Sequence, residues 1–266
     1  MNIIVCCKQV LDPEAPPASF KIDPSSNKVV PPPNVPPVIS PFDENAVEAA
    51  LRIKDKTGGK ITILTMGNNL IRDVVKKPLS MGADELILLE DGAFEGGDSW
   101  STAFSLSQAI KKIGEFDLIL CGRQAADWDS GQVGSGIAEI LGIPSVTLAK
   151  KIEIADSRVK VERVITDGYQ VVEVALPALI TVSNELGEPR YATLKGIMAA
   201  AKKQPTIWKP ADIGVELAQA GEGGRKAKIA KLFQPVREGH CELVEADSPA
   251  EAGSKLALKL RESKLI

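Results

Sequence analysis

The 266-residue chain carries 32 basic and 35 acidic side chains, a net charge of -3, and a hydrophobic fraction of 44%. That much apolar material supplies a sizeable core and excludes a disordered chain, while the near-even charge gives no general attraction to nucleic acid or to an acidic membrane surface. No apolar run approaches the roughly 18 residues that cross a bilayer, and Met1 leads into a strand without a charged n-region, so a soluble, intracellular protein is expected.

The first strand is IIVCC from Ile3, short, apolar and β-branched. After it comes KQVLDP, which is not the G-x-G-x-x-G of a dinucleotide fold, and no P-loop pattern occurs anywhere. Between Asp12 and Pro41 lie many of the 18 prolines, with FKIDPSSNKVV inside reading as a small hairpin. An insertion of this length after a strand of an open α/β sheet is expected to overhang the ligand edge.

DENAVEAALRIKDKTGG then reads as a helix capped by Asp43, with Ala46, Val47, Ala50, Leu51 and Ile53 toward the sheet and a stop at Gly58. ITILTM is the next strand, and NLIRDVVKKPLSMG a helix that Pro78 bends or ends. ELILLE, a helix capped by Asp98 or Ser99 with Ala103, Leu106, Ile110 and Ile113 on one stripe, and FDLILC follow, then a weaker strand SVTLA. This alternation predicts a parallel sheet, and near-continuous apolar strands predict helices on both of its faces.

Between FDLILC and the next helix, CGRQAADWDSGQVGSGIAEIL packs Gly122, Ser130, Gly131 and Gly134 into a tight polar turn. The helix is expected from about Gln132, with Ser130 or Asp129 as its cap. Its first amides and positive dipole end form a natural receptor for phosphate. The local pattern equally fits an ordinary strand-to-helix turn that binds nothing.

Cys6, Cys7, Cys121 and Cys241 form no C-x-x-C pair, and His240 is the single histidine, so neither a zinc site nor a histidine-based nucleophile is expected. Beyond Lys150, KIEI, VKVERVI, QVVEVAL and ALITV read as antiparallel strands that continue or flank the sheet. From Lys195 to Arg237 nine basic residues stand against three acidic ones, which reads as an extended arm. SPAEAGSKLALKL closes the chain as a helix with a capping-box start at Ser248 and Leu256 and Leu260 on one face.

Several ordered blocks carry a resemblance: IIVCCKQVLDP with the later KID, SPFDENAVEAALRIK, LTMG, GADELILL, CGRQAADWDSGQVGSGIAE, the strand-rich Val161 to Val182, and GEPRYATLKGIMAAAKK. Together they make the chain resemble the β subunit of electron transfer flavoprotein over nearly its whole length. The resemblance implies an α/β fold: an open, mostly parallel sheet with helices on both faces, of the adenine nucleotide alpha hydrolase-like kind, with antiparallel additions and an extended C-terminal arm. It implies a nucleotide-binding domain over 1–194, with the proline-rich insertion at 12–41. Residues 195–266 would be the recognition-loop helix, the arm and a C-terminal helix, all packing on an α subunit.

The implied role is electron carriage without catalysis, in the prokaryotic cytoplasm. FAD is shared with the α subunit, the donor is an acyl-CoA or similar flavin dehydrogenase, and the acceptor is a quinone reductase or ferredoxin. An internal slot holds AMP or, in a bifurcating complex that oxidises NADH, a second FAD. Carried onto this chain, the slot is Cys6; Ser40, Pro41, Phe42 and Asp43; Met66; and Gly122, Arg123, Gln124, Ala125, Ala126, Asp127, Trp128, Asp129, Ser130, Gly131, Gln132 and Val133. Leu11 and Phe42 are expected near the isoalloxazine.

Glu188, Arg190, Tyr191, Leu194, Ile197 and Met198 would form the surface recognised by the dehydrogenase, with Leu194 as apolar anchor and Arg190 steering from the rim. Two positions depart from the family pattern: Ser40 where Asn is common, and Trp128 where a small or acidic residue is common. AMP and a second FAD both stay open, and the bulk of Trp128 in the loop favours AMP.

Overall fold

The computed structural model describes residues 1–235, 239 and 241–266; His240 and Arg237, which ends the basic stretch, lie outside the described residues. In chain order the strands are β1 (Asn2–Cys6), β2 (Gln9–Val10), β3 (Lys21–Asp23), β4 (Lys28–Val30), β5 (Val38–Ile39), β6 (Lys60–Gly67), β7 (Glu85–Glu90), β8 (Leu118–Gly122), β9 (Ser145–Ala155), β10 (Arg158–Ile165), β11 (Gly168–Ala175), β12 (Ala178–Val182) and β13 (Thr206–Trp208). The helices are α1 (Pro41–Thr57), α2 (Arg72–Val75), α3 (Lys77–Met81), α4 (Ser99–Ile113), α5 (Val133–Leu141), α6 (Leu194–Lys202), α7 (Gly221–Gly224) and α8 (Pro249–Glu262).

Nine strands form one sheet in the order β11-β10-β9-β12-β8-β1-β6-β7-β13. From β9 to β13 every neighbouring pair runs parallel, and the antiparallel pairs of this sheet are β9–β10 and β10–β11. Because successive side chains of a strand point to opposite faces, Ile3 and Val5 join α1 in one core layer, while Ile4 and Cys6 join α4 and α5 in the other. The expected parallel sheet covered on both faces is therefore present. β1 lies between β8 and β6, so the chain leaves β1 toward β6 and later returns to its other side. Such a reversal opens a crevice beyond the carboxyl ends of the strands.

The proline-rich insertion is closed at its neck by β2 pairing with β5, and it contains the expected hairpin β3–β4. SVTLA and KIEI are one long strand, β9. ALITV, expected antiparallel, is β12 and runs parallel between β9 and β8. Its five residues are all buried, as suits a strand covered on both faces, whereas β11 keeps alternate residues exposed along its second half. Pro78 opens α3, and the expected single helix is the pair α2 and α3.

The chain divides into compact units after Ala230, later than the boundary expected at residue 194. Part of the reason is apolar: Ala200, Ile213, Val215 and Ala220 are all buried, and β13 extends the sheet edge beside β7. The stretch expected as an arm is thus folded through α7. The second unit, Lys231–Ile266, contains α8, which starts at Pro249 with the Ser248 side chain accepting a bond from the Glu251 amide at 3.2 Å. No residue of α8 is buried, and Leu256 and Leu258 are exposed. Among the described residues no helix is long and apolar enough to cross a membrane.

Candidate functional site

The crevice beside β1 is assembled by one buried carboxylate. Pro41 begins α1 two residues ahead of Asp43, which sits in the first helical turn and does not cap it; Ser40 holds the cap position, but its side chain makes no bond to the helix amides. Asp43 turns inward. Its Oδ2 accepts a bond from the Lys8 amide at 2.8 Å, and its Oδ1 accepts one from the Gly122 amide at 3.0 Å. Burial pushes the carboxyl up to about 7; the two amide bonds and the Lys8 charge oppose that rise, and the Asp127 charge adds to it.

Gly122 is required where β8 ends. A Cβ there would stand 2.5 Å from Asp43 Oδ1 and 2.7 Å from the Phe42 carbonyl carbon. Lys8 closes the arrangement by donating from Nζ to both Asp127 oxygens, at 2.7 and 2.8 Å. The Ser40 hydroxyl accepts a bond from the Ala126 amide at 3.3 Å. Strand β1, helix α1 and the loop after β8 are therefore fastened to one another by residues 35 to 119 positions apart in the chain.

The loop itself turns through left-handed backbone at Asp129 and Gly131, with φ of 52° and 61°. Its other acidic side chain is also engaged, since Gln124 donates from Nε2 to Asp129 Oδ1 at 2.8 Å. Ser130 shares a hydroxyl contact with Ser99 at 3.3 Å. Neither Asp129 nor Ser130 caps the following helix as expected: α5 starts at Val133, behind Gln132, with no side-chain cap. Because the first amides of a helix have no partner within it, this end offers donors and a partial positive charge toward the crevice. α5 is drawn close to the sheet at Gly134, where a Cβ would meet Thr181 Cγ2 at 2.8 Å.

Cys6 ends β1 in register with Leu64 and Cys121, and Met66 lies two residues further along β6. Cys6 is buried, and Met66 is half-buried against the same core layer. The Cys121 thiol is pushed up by its bond to Cys6 and by burial, and the Cys7 thiol is raised by burial and then by the Asp43 charge. Thiols so placed are poor nucleophiles. Arg123 stacks on Phe42, 4.9 Å to the ring centroid, and its Nε is buried without a partner among the described residues. Trp128 is 54% exposed. Lys8 and Ser99 were missed as site residues; Lys8 stands two places after Cys6, in the KQV string that follows the first strand, which was a usable signal.

The second group of expected residues divides in two. Glu188, Tyr191, Leu194, Ile197 and Met198 are exposed, Tyr191 at 92% and Leu194 at 75%. Arg190, expected to steer from the rim, has its guanidinium engaged within its own chain: Nε donates to Glu48 Oε2 and one terminal nitrogen to Asp55 Oδ2, both at 2.8 Å. Helix α6 starts directly behind, capped by the Thr193 hydroxyl accepting from the Gly196 amide at 3.0 Å.

Comparison with known proteins identifies the group to which this arrangement belongs. The family described as electron transfer flavoprotein domain matches residues 34–213. The chain is 42% identical to an electron transfer flavoprotein subunit beta of Thermoanaerobacterium thermosaccharolyticum, over 90% of each chain. It is 40% identical to the caffeyl-CoA reductase-Etf complex subunit CarD of Acetobacterium woodii, over the whole of both chains. Similarity extends to the protein FixA of Azorhizobium caulinodans, at 36% identity over 97% of this chain and 93% of that one. With its matched domain and its full-length likeness to β subunits, the chain belongs to the electron transfer flavoprotein family, whose β subunits carry electrons and are not enzymes.

Proposed function

We propose that the crevice between β1, β6 and β8 holds the adenylate part of a nucleotide, AMP in a simple relay, while an α subunit holds most of the working FAD. Bound FAD supplies the capacity to take up and release electrons. The observation that carries this reading is the uncapped start of α5 behind a loop whose two carboxylates are already engaged, Asp127 by Lys8 and Asp129 by Gln124. Neutral amides with no competing anion are what a phosphate needs. Cys6 and Met66, apolar side chains at adjacent strand ends, suit the adenine edge, and the uncommitted Arg123 Nε is a further donor beside the loop.

On this reading the donor is an acyl-CoA or similar flavin dehydrogenase that docks on Tyr191, Leu194, Ile197 and Met198, and the acceptor is a quinone reductase or ferredoxin in a prokaryotic cytoplasm. A second FAD in the same slot is favoured by one observation: Trp128 stands exposed, so its bulk does not narrow the slot and its indole is available to a second ring. The likeness to a subunit of a caffeyl-CoA reductase-Etf complex points the same way. Nucleotide extracted from the purified heterodimer separates the two. One FAD with one AMP is expected for the relay and two FAD without AMP for the second reading; a heterodimer with neither AMP nor a second FAD overturns the slot.

A further inference from the structure

Helix α1 presents Asn45, Glu48, Arg52 and Asp55 at spacings of three, four and three, which places them on one face. Every one of them grips the base of the exposed segment that leads into α6. Asn45 donates to the Gly187 carbonyl at 2.8 Å, and Arg52 donates to the carbonyls of Leu186 and Glu188 at 2.9 and 3.3 Å. Glu48 takes both the amide and the Nε of Arg190 on Oε2, at 3.1 and 2.8 Å, and Arg52 Nε on Oε1 at 2.7 Å. Asp55 receives the far side of Arg190.

Three of these bonds end on main-chain carbonyls and one on a main-chain amide, so the grip fixes the path of the backbone. Glu48 is its centre: the side chain is 5% exposed and lies between two guanidiniums. Burial acts against its ionisation, but the bonds from Arg190 and Arg52 outweigh burial and hold the carboxyl below its ordinary value. Immediately beyond the grip come Tyr191 and Leu194, which are almost bare. A firmly held base followed by exposed apolar side chains is the arrangement of a surface whose partner must find it already placed, since ordering a loop on docking weakens binding.

We propose that Glu48, acting through Arg190 and Arg52, is the positioning residue for the 191–198 surface, and so governs the affinity of a docking flavoprotein dehydrogenase that it does not touch. The inference rests on the reading of that surface as the dehydrogenase contact. The test uses the intact heterodimer, reduced by an acyl-CoA dehydrogenase. For Glu48→Gln the expected result is a KM for the heterodimer raised about ten-fold, in keeping with the loss of charge-assisted bonds, with kcat and flavin content unchanged. Amide exchange should quicken at residues 187–193 and stay constant at Lys8 and Gly122.

Arg190→Lys keeps the charge but loses the planar fork, and should raise KM in the same direction if Glu48→Gln does not fold. Leu194→Ala serves as the reference. If it leaves KM unaltered, the underlying surface reading falls; if it raises KM while both Glu48→Gln and Arg190→Lys do not, the positioning inference alone falls. A raised KM without faster exchange at 187–193 also overturns it.

Discussion

Replacing Asp43 by Asn tests the claim that one buried carboxyl joins β1, α1 and the loop after β8. The native group is pushed from an ordinary value of 3.8 up to about 7 in the folded chain. A folded state that holds its proton more tightly than the unfolded one is favoured at low pH: the contribution is complete below about 3.9 and is lost as pH rises through about 7. Between pH 5 and 7 the native chain therefore forfeits about 2 kcal/mol from this group, at up to about 1.4 kcal/mol for each pH unit.

Asn does not titrate, and it has one oxygen where Asp43 uses two for the amides of Lys8 and Gly122. One buried amide then faces a second donor, which costs about 1–3 kcal/mol. The variant should be the less stable form at pH 5, and the gap should narrow by about 2 kcal/mol by pH 7. Urea unfolding of both chains at half-unit steps from pH 5 to 8.5 measures this. A gap that stays constant across that range would falsify the assignment of a raised carboxyl at this position.

Gly122→Ala forces a Cβ against Asp43 Oδ1 and the Phe42 backbone, and should lower stability by about 1–3 kcal/mol while reducing nucleotide content; unchanged melting and full occupancy would refute the close approach. Lys8→Gln leaves the Asp127 charge exposed to an incoming phosphate, and AMP affinity should fall about ten-fold at low salt. Adding Asp127→Asn should restore that affinity, and a double variant as weak as Lys8→Gln would dismiss the electrostatic account.

What could be read along the chain was whatever is written locally. The buried strands β1, β6, β7 and β8 announce themselves as apolar runs, Gly58 ends α1, Pro78 opens α3, and Asp98 caps α4 by accepting the Ser101 amide while Ser101 reciprocates. The direction of β12 was misjudged because its neighbours in sequence are antiparallel strands, while its partners, β8 and β9, are set by crossovers that no short window contains. Asp43 looked like a cap because it precedes an apolar run; Pro41 moved the helix start, and two residues suffice to turn a capping side chain into a buried tether.

The site was legible as a loop and illegible as a network. The glycines and Ser130 were visible, but the Lys8–Asp127 pair joins residues 119 apart, and nothing in either neighbourhood names the other. The bonds of Arg190 to Glu48 and Asp55 are hidden from a local reading for the same reason. The polar stripe Asn45, Glu48, Arg52 and Asp55 has helical spacing, but spacing alone does not say which segment it faces.

Helix α8 bears on how the protein behaves at high concentration. Leu256 and Leu258 lie exposed on it, and apolar side chains left open to water are where proteins self-associate.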